Sequence, residues 1–187
     1  MIPLTMMWLP IVVSAVFVFI VSAIMHTVAP HHRNDFSRLP DEDRVLESLR
    51  HADLRPGDYV VPFASSPKEM EDPAYLEKVK RGPVAFVSVI PSGPPSLVKP
   101  LVQWFVYTLV VSIIAGYVAS RALTLGADYL DVFRFAGTAA FAAYVPGVWQ
   151  QSIWGGRSWR TTLKSSFDGL VYALVTAGVF GWLWPGS

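Results

Sequence analysis

The sequence predicts a membrane all-α fold: a four-transmembrane-helix bundle with a small α+β cytoplasmic insert between helices 1 and 2. Three observations carry that expectation. No Asp, Glu, Lys or Arg occurs from Ile2 to His32. A second clean run, the 21 residues Pro100–Ser120, would span roughly 31 Å as a helix, the thickness of a hydrocarbon core. The composition agrees, with 52% hydrophobic and 16% charged residues and a mean hydropathy of +0.40.

The first helix is expected over Met7–Val28, closed by Pro30, which disfavours helix at the residue before it. Pro10 falls near its first turn, where a missing N–H matters little. Met1–Trp8 lacks the basic start of a secretory signal, so an uncleaved anchor is expected despite the small-residue triplet Val21-Ser22-Ala23. The second helix covers Leu101–Leu123. The third runs from an Asp128 cap to Ser152, with Pro146 predicting a kink. The fourth covers Thr162–Trp184 and stops at Pro185-Gly186. Three regions follow: helix 1 over residues 1–29, the insert over 30–99, and a three-helix region over 100–187.

Lys and Arg number thirteen on the side of the insert and the 155–164 loop, against Arg121 and Arg134 on the other. Positive residues favour the cytoplasm. The expectation is therefore a multi-pass protein of a bacterial inner membrane, with both termini periplasmic and residues 30–99 cytoplasmic. Trp8, Trp182 and Trp184 would mark the outer interface, and Trp104, Trp149, Trp154 and Trp159 the inner one.

The insert mixes ten basic with eleven acidic residues. Pro40-Asp41-Glu42-Asp43 opens a short helix with apolar Val45, Leu46 and Leu49. Arg55-Pro56-Gly57-Asp58 reads as a turn before a strand at Tyr59-Val60-Val61. Ser66-Pro67-Lys68-Glu69 is a capping box, Asp72-Pro73 a second helix start, and Gly82 a stop. Val84–Ile90 is a second strand, which a crossover could pair parallel to the first. About 70 residues make a marginal core, so the insert is expected to lean on the helices or on a partner.

In lipid, helices pack through small residues. Gly169, Ala173, Ala177 and Gly181 form such a face on the fourth helix, and Ser112, Gly116 and Ser120 on the second. Internal packing is the plain reading; docking to another subunit's helix is the alternative. Arg134 with Asp131, near Asp128 and Arg121, reads as an ion-pair anchor at the helix ends. Asp168 and Lys164 look like a structural pair at the start of the fourth helix.

Net charge +1 gives no field for nucleic acid, and the absence of cysteine excludes disulfides and thiolate metal sites. No phosphate-binding or nucleophile motif occurs, so no catalytic residue and no enzyme is expected. His26, His31 and His32 are the candidates for a metal or haem site. Lacking the HExxH spacing or a cysteine partner, they are read as interfacial histidines, and no metal site is assigned. No cofactor is predicted, although lipid or pigment contacts through Trp and His fit the composition.

The stretches MMWLPIVVSAVFVFIVSAIMH, LVQWFVYTLVVSIIAGYVASRAL, FRFAGTAAFAAYVPGVWQQSIW and TTLKSSFDGLVYALVTAGVFGWLWP resemble small bacterial four-helix integral membrane proteins of unassigned function. The resemblance implies an inner-membrane location and transfers no site residue. The function expected is a non-catalytic accessory or stabilising subunit of a larger energy-converting complex, respiratory or photosynthetic. Its partners would be membrane lipids and other integral subunits. The alternatives are a transporter or channel lined by Gln103, Thr108, Ser112, Arg134, Thr138 and Gln150, and a haem or quinone enzyme using His26.

Overall fold

A computed structural model describes residues 2–186. The chain divides into two compact units, residues 2–36 with 96–186 and residues 37–95. The first unit is helical. After one 3-10 turn, Leu4–Met7, α1 runs Trp8–Thr27, where continuous apolar residues and a Pro10 placed in the first turn permit an unbroken helix. Its last turn closes through Val28 N–H to the Ile24 carbonyl at 2.8 Å, ahead of Pro30. The same unit contains α5 (Val98–Ala122), α6 (Tyr129–Tyr144), α7 (Gln150–Ile153) and α8 (Trp159–Trp182).

The four-transmembrane-helix expectation is overturned here. Among the described residues, two helical stretches are long and apolar enough to cross a membrane, Leu4–Thr27 and Val98–Ala122. The reasons are local. With 16 residues, α6 reaches only about 24 Å, short of a hydrocarbon core of about 30 Å. It stops because Pro146 has no N–H to continue the ladder, and the chain passes into a 3-10 turn, Pro146–Trp149. The proline ends the helix instead of kinking it. α8 has 24 residues, yet Arg160, Lys164 and Asp168 interrupt its first half. Only Gly169–Trp182 remains free of charge.

Packing within this unit rests on small residues. A Cβ at Gly137 of α6 would lie 2.8 Å from the Ala177 Cβ of α8, and one at Gly181 would lie 2.6 Å from the Tyr129 ring. These separations let α6 and α8 approach closely. One core cluster contains Met7, Ile11, Ala115, Val132, Phe180 and Trp184. A second contains Val18, Val111, Ala140, Tyr144, Tyr172 and Ala173. Trp184, expected at the lipid boundary, is instead 2% exposed and donates its indole N–H to the Thr124 carbonyl at 2.9 Å.

The second unit contains α2 (Glu42–His51), β1 (Gly57–Val61), α3 (Pro67–Met70), α4 (Pro73–Arg81) and β2 (Ala85–Val89). The strands pair antiparallel, Gly57 opposite Val89 and Val61 opposite Ala85, so the parallel crossover does not form. Ending α4 at Gly82 (φ 62°) turns the chain back along β1 in the opposite sense. Ser66 caps α3 by accepting from the Glu69 N–H at 3.2 Å, and Asp72 caps α4 by accepting from the Ala74 N–H at 2.7 Å. Among the described residues, none from 37 to 95 is fully buried.

Candidate functional site

The densest polar arrangement lies where α1 ends. His26 sits in the last turn of α1, and its Nδ1–H donates to the Ser22 carbonyl at 2.9 Å. Extended Ala29 and the 3-10 turn Pro30–His32 then fold the chain back, so that His32 stacks on His26 with ring centroids 4.8 Å apart. Opposite stands Asp168, whose side chain is 4% exposed. His31 Nε2–H donates to one Asp168 oxygen at 2.8 Å and His32 Nε2–H to the other at 2.5 Å. His32 Nδ1–H donates to Asp35 at 2.6 Å, and Lys164 Nζ donates to the other Asp35 oxygen at 2.5 Å.

This network corrects the expected Lys164–Asp168 pair. Because α8 begins at Trp159, Asp168 lies well inside the helix, away from its N-terminal dipole. Lys164 instead reaches the loop after α1, and the histidines take the buried carboxylate. Both nitrogens of the His32 ring face carboxylates, which requires the doubly protonated ring. Burial disfavours that charge, but the hydrogen bonds and negative charges of Asp35 and Asp168 outweigh it and raise the His32 pKa. The hydrogen bond from Lys164 holds the Asp35 carboxyl below its ordinary range against burial, and His32 adds to the effect.

Beside this cluster opens a cavity of about 470 Å³, whose lining includes His26 and Asp168. Its walls hold a closed circuit of rings: Trp104–Tyr107 at 5.5 Å, Tyr107–Tyr144 at 5.8 Å, Tyr144–Tyr172 at 5.7 Å and Tyr172–Trp104 at 5.7 Å between centroids. The Trp104 N–H donates to Ser22 Oγ at 2.7 Å and the Tyr107 hydroxyl to the Ala143 carbonyl at 3.0 Å. The buried Tyr172 hydroxyl has no hydrogen-bond partner among the described residues. The buried Tyr144 hydroxyl likewise meets no hydrogen-bond partner in good geometry among the described residues.

The other predicted site residues lie elsewhere. Ala173 and Ala177 are buried, Gly169 approaches the Tyr144 carbonyl, and Gly116 approaches Phe180 and Ile11, so these faces are occupied inside the unit. Ser112 Oγ donates to the Thr108 carbonyl at 2.9 Å and lies 3.3 Å from Ser14 Oγ, while Ser120 Oγ donates to the Tyr117 carbonyl at 2.9 Å. Of the expected anchor, Arg134 meets Asp131 at 3.3 Å in an exposed pair. Arg121 donates to the Ile2 carbonyl and lies over the Tyr117 ring, and Asp128 precedes α6 without a side-chain cap bond. The polar groups expected to line a channel share no path: Thr108 and Ser112 are buried, whereas Gln103, Arg134, Thr138 and Gln150 are exposed.

Sequence reading singled out the histidines but missed their acceptors and the tyrosine circuit. The available signal was Asp168 as the one acid of the fourth helical stretch, directly before its apolar run, matched with three histidines at the end of the first. No protein-family model, curated protein or solved structure matches the chain.

Proposed function

We propose that the chain is a membrane-associated binding protein whose aromatic cavity takes a flat, lipid-soluble molecule bearing a carbonyl acceptor, of the quinone type. The observation that carries this reading is the Tyr172 hydroxyl, buried without a partner on a residue that lines the cavity. An unmet buried donor costs about 1–3 kcal/mol, which a carbonyl oxygen would relieve. The ring circuit offers flat apolar walls, and about 470 Å³ suits a small organic ligand.

Two apolar helices support the membrane location, and so do their outward faces. Leu9, Val12, Val16, Phe17, Ile20 and Ile24 of α1 are exposed, as are Val102, Val106, Val110 and Ile114 of α5. Water-soluble monomers rarely present contiguous apolar surface of that extent. Ten Lys and Arg between Arg33 and Lys99 favour the cytoplasmic side of a bacterial inner membrane for that segment. A non-catalytic subunit of an energy-converting assembly is the role that fits, since such assemblies work with lipid-soluble carbonyl compounds and pigments.

Two measurements test it. Alkaline carbonate should leave the full chain in the membrane pellet; release into the supernatant contradicts the location. Titrating detergent-purified, metal-free protein with decylbenzoquinone should quench tryptophan fluorescence saturably, and Tyr172→Phe should weaken binding about 5–10-fold, the worth of one hydrogen bond. Quenching that is linear, or identical in the variant, contradicts the ligand class.

A further inference from the structure

We infer that His26, His32 and Asp168 form a binding site for one divalent first-row transition-metal ion. A ring nitrogen of each histidine and a carboxylate oxygen of Asp168 lie within 4.8 Å of one another. Two imidazoles and a carboxylate are the donor set of open zinc and non-haem iron(II) centres. Such a set without thiolates gives a borderline ion no rival from soft-metal chemistry.

The orientation of each ring is fixed from behind. His26 Nδ1–H is held by the Ser22 carbonyl, which leaves Nε2 with its lone pair outward. His32 Nδ1–H is held by Asp35, and Asp35 in turn by Lys164. A carboxylate behind a ligating histidine is the usual outer support of a metal centre, because it fixes the tautomer and raises the basicity of the far nitrogen. His31 performs a related service for Asp168, bonding one oxygen and leaving the other toward His32.

His32 Nε2–H donates to Asp168 at 2.5 Å. The ion takes the place of that proton. Donor atoms around a tetrahedral ion stand roughly 3.3 Å apart, from metal–ligand distances near 2.0–2.1 Å. The His32–Asp168 contact therefore opens, and the widest separation closes by about 1.5 Å. His26 is exposed and tied only to its own helix, so its ring can make that movement. Its exposure also leaves a coordination position for water or a ligand group.

The test uses the full chain in detergent after chelator treatment. Cobalt(II) should bind once per chain with saturable visible absorption of a low-symmetry site, and zinc should displace it, whereas magnesium should not. His26→Ala, which leaves the Asp35–His32–Asp168 network in place, should weaken cobalt binding at least 30-fold. Asp35→Asn should weaken it about 10–100-fold, while His51→Ala, in the other unit, should have no effect. Absence of a saturable cobalt spectrum in the unsubstituted protein overturns the inference, and so does a spectrum that survives His26→Ala unchanged. Since the quinone titration is run without metal, failure of one reading leaves the other standing.

Discussion

His32 donates from Nε2 to a carboxylate oxygen of Asp168 at 2.5 Å, across 136 residues of sequence. That bond ties the chain reversal after α1 to the middle of α8, and its acceptor, Asp168, lines the aromatic cavity. It also makes Asp168 the most consequential carboxylate of the helical unit.

Asp168→Ala should destabilise the protein by about 2–4 kcal/mol, because the histidines lose a buried acceptor and His32 keeps a charge with one counter-ion fewer. Arg134→Ala should change stability by less than about 1 kcal/mol, since its pair with Asp131 is solvent-exposed. Chemical denaturation of both variants in the same detergent checks the contrast. Equal losses would place the buried network and the surface pair on the same footing.

Gly137→Ala should cost about 1–3 kcal/mol by forcing α6 and α8 apart at Ala177. Pairing it with Ala177→Gly removes the clashing methyl, so the double variant should lose less than the sum of the two single ones. A double-mutant cycle measures this directly. Strict additivity would mean that the helices do not meet at that point.

Residues 37–95, expressed alone, should lack a cooperative thermal transition and give a poorly dispersed proton NMR spectrum. The unit has two strands and short helices but no fully buried residue among those described, and a domain of that size needs a core or a staple. A sharp melt of the isolated unit would contradict this.

Glu69 should titrate below the ordinary glutamate value in the full chain. Its carboxylate accepts from the Ser65 hydroxyl and from the Ser65 backbone N–H, and these bonds favour the charged form. A depressed folded pKa gives α3 a stabilisation that is present above the unfolded value and lost as pH falls through the folded one. Ser65→Ala should move the NMR midpoint upward; an unmoved midpoint would remove the assigned cause.

Much of the helical pattern was legible because uncharged length is a one-dimensional signal. α1 and α5 appear within three residues of their expected limits. The capping residues Ser66 and Asp72 were legible for the same reason, since their partners lie two or three residues away. Crossing a membrane is a stricter demand than being helical, and α6 and α8 meet the second without the first. Pro146 shortened α6 more than a kink would, and α8 starts at Trp159 instead of Thr162, which brings Arg160 into the helix beside Lys164 and Asp168. The site was half legible. His26, His31 and His32 stood out, but their acceptors depend on a chain reversal at Pro30 and on the register of α8, which no local pattern encodes. The strand direction in the second unit is likewise set by how α4 ends, at Gly82.

The most direct measurement is mass spectrometry of the lipid-soluble extract from protein purified in mild detergent, compared with Ala23→Phe, whose added ring fills the cavity from the α1 side. The unsubstituted protein should retain close to one conjugated carbonyl compound per chain, and the variant almost none. Extracts with the same contents from both proteins would contradict the binding site on which the account rests.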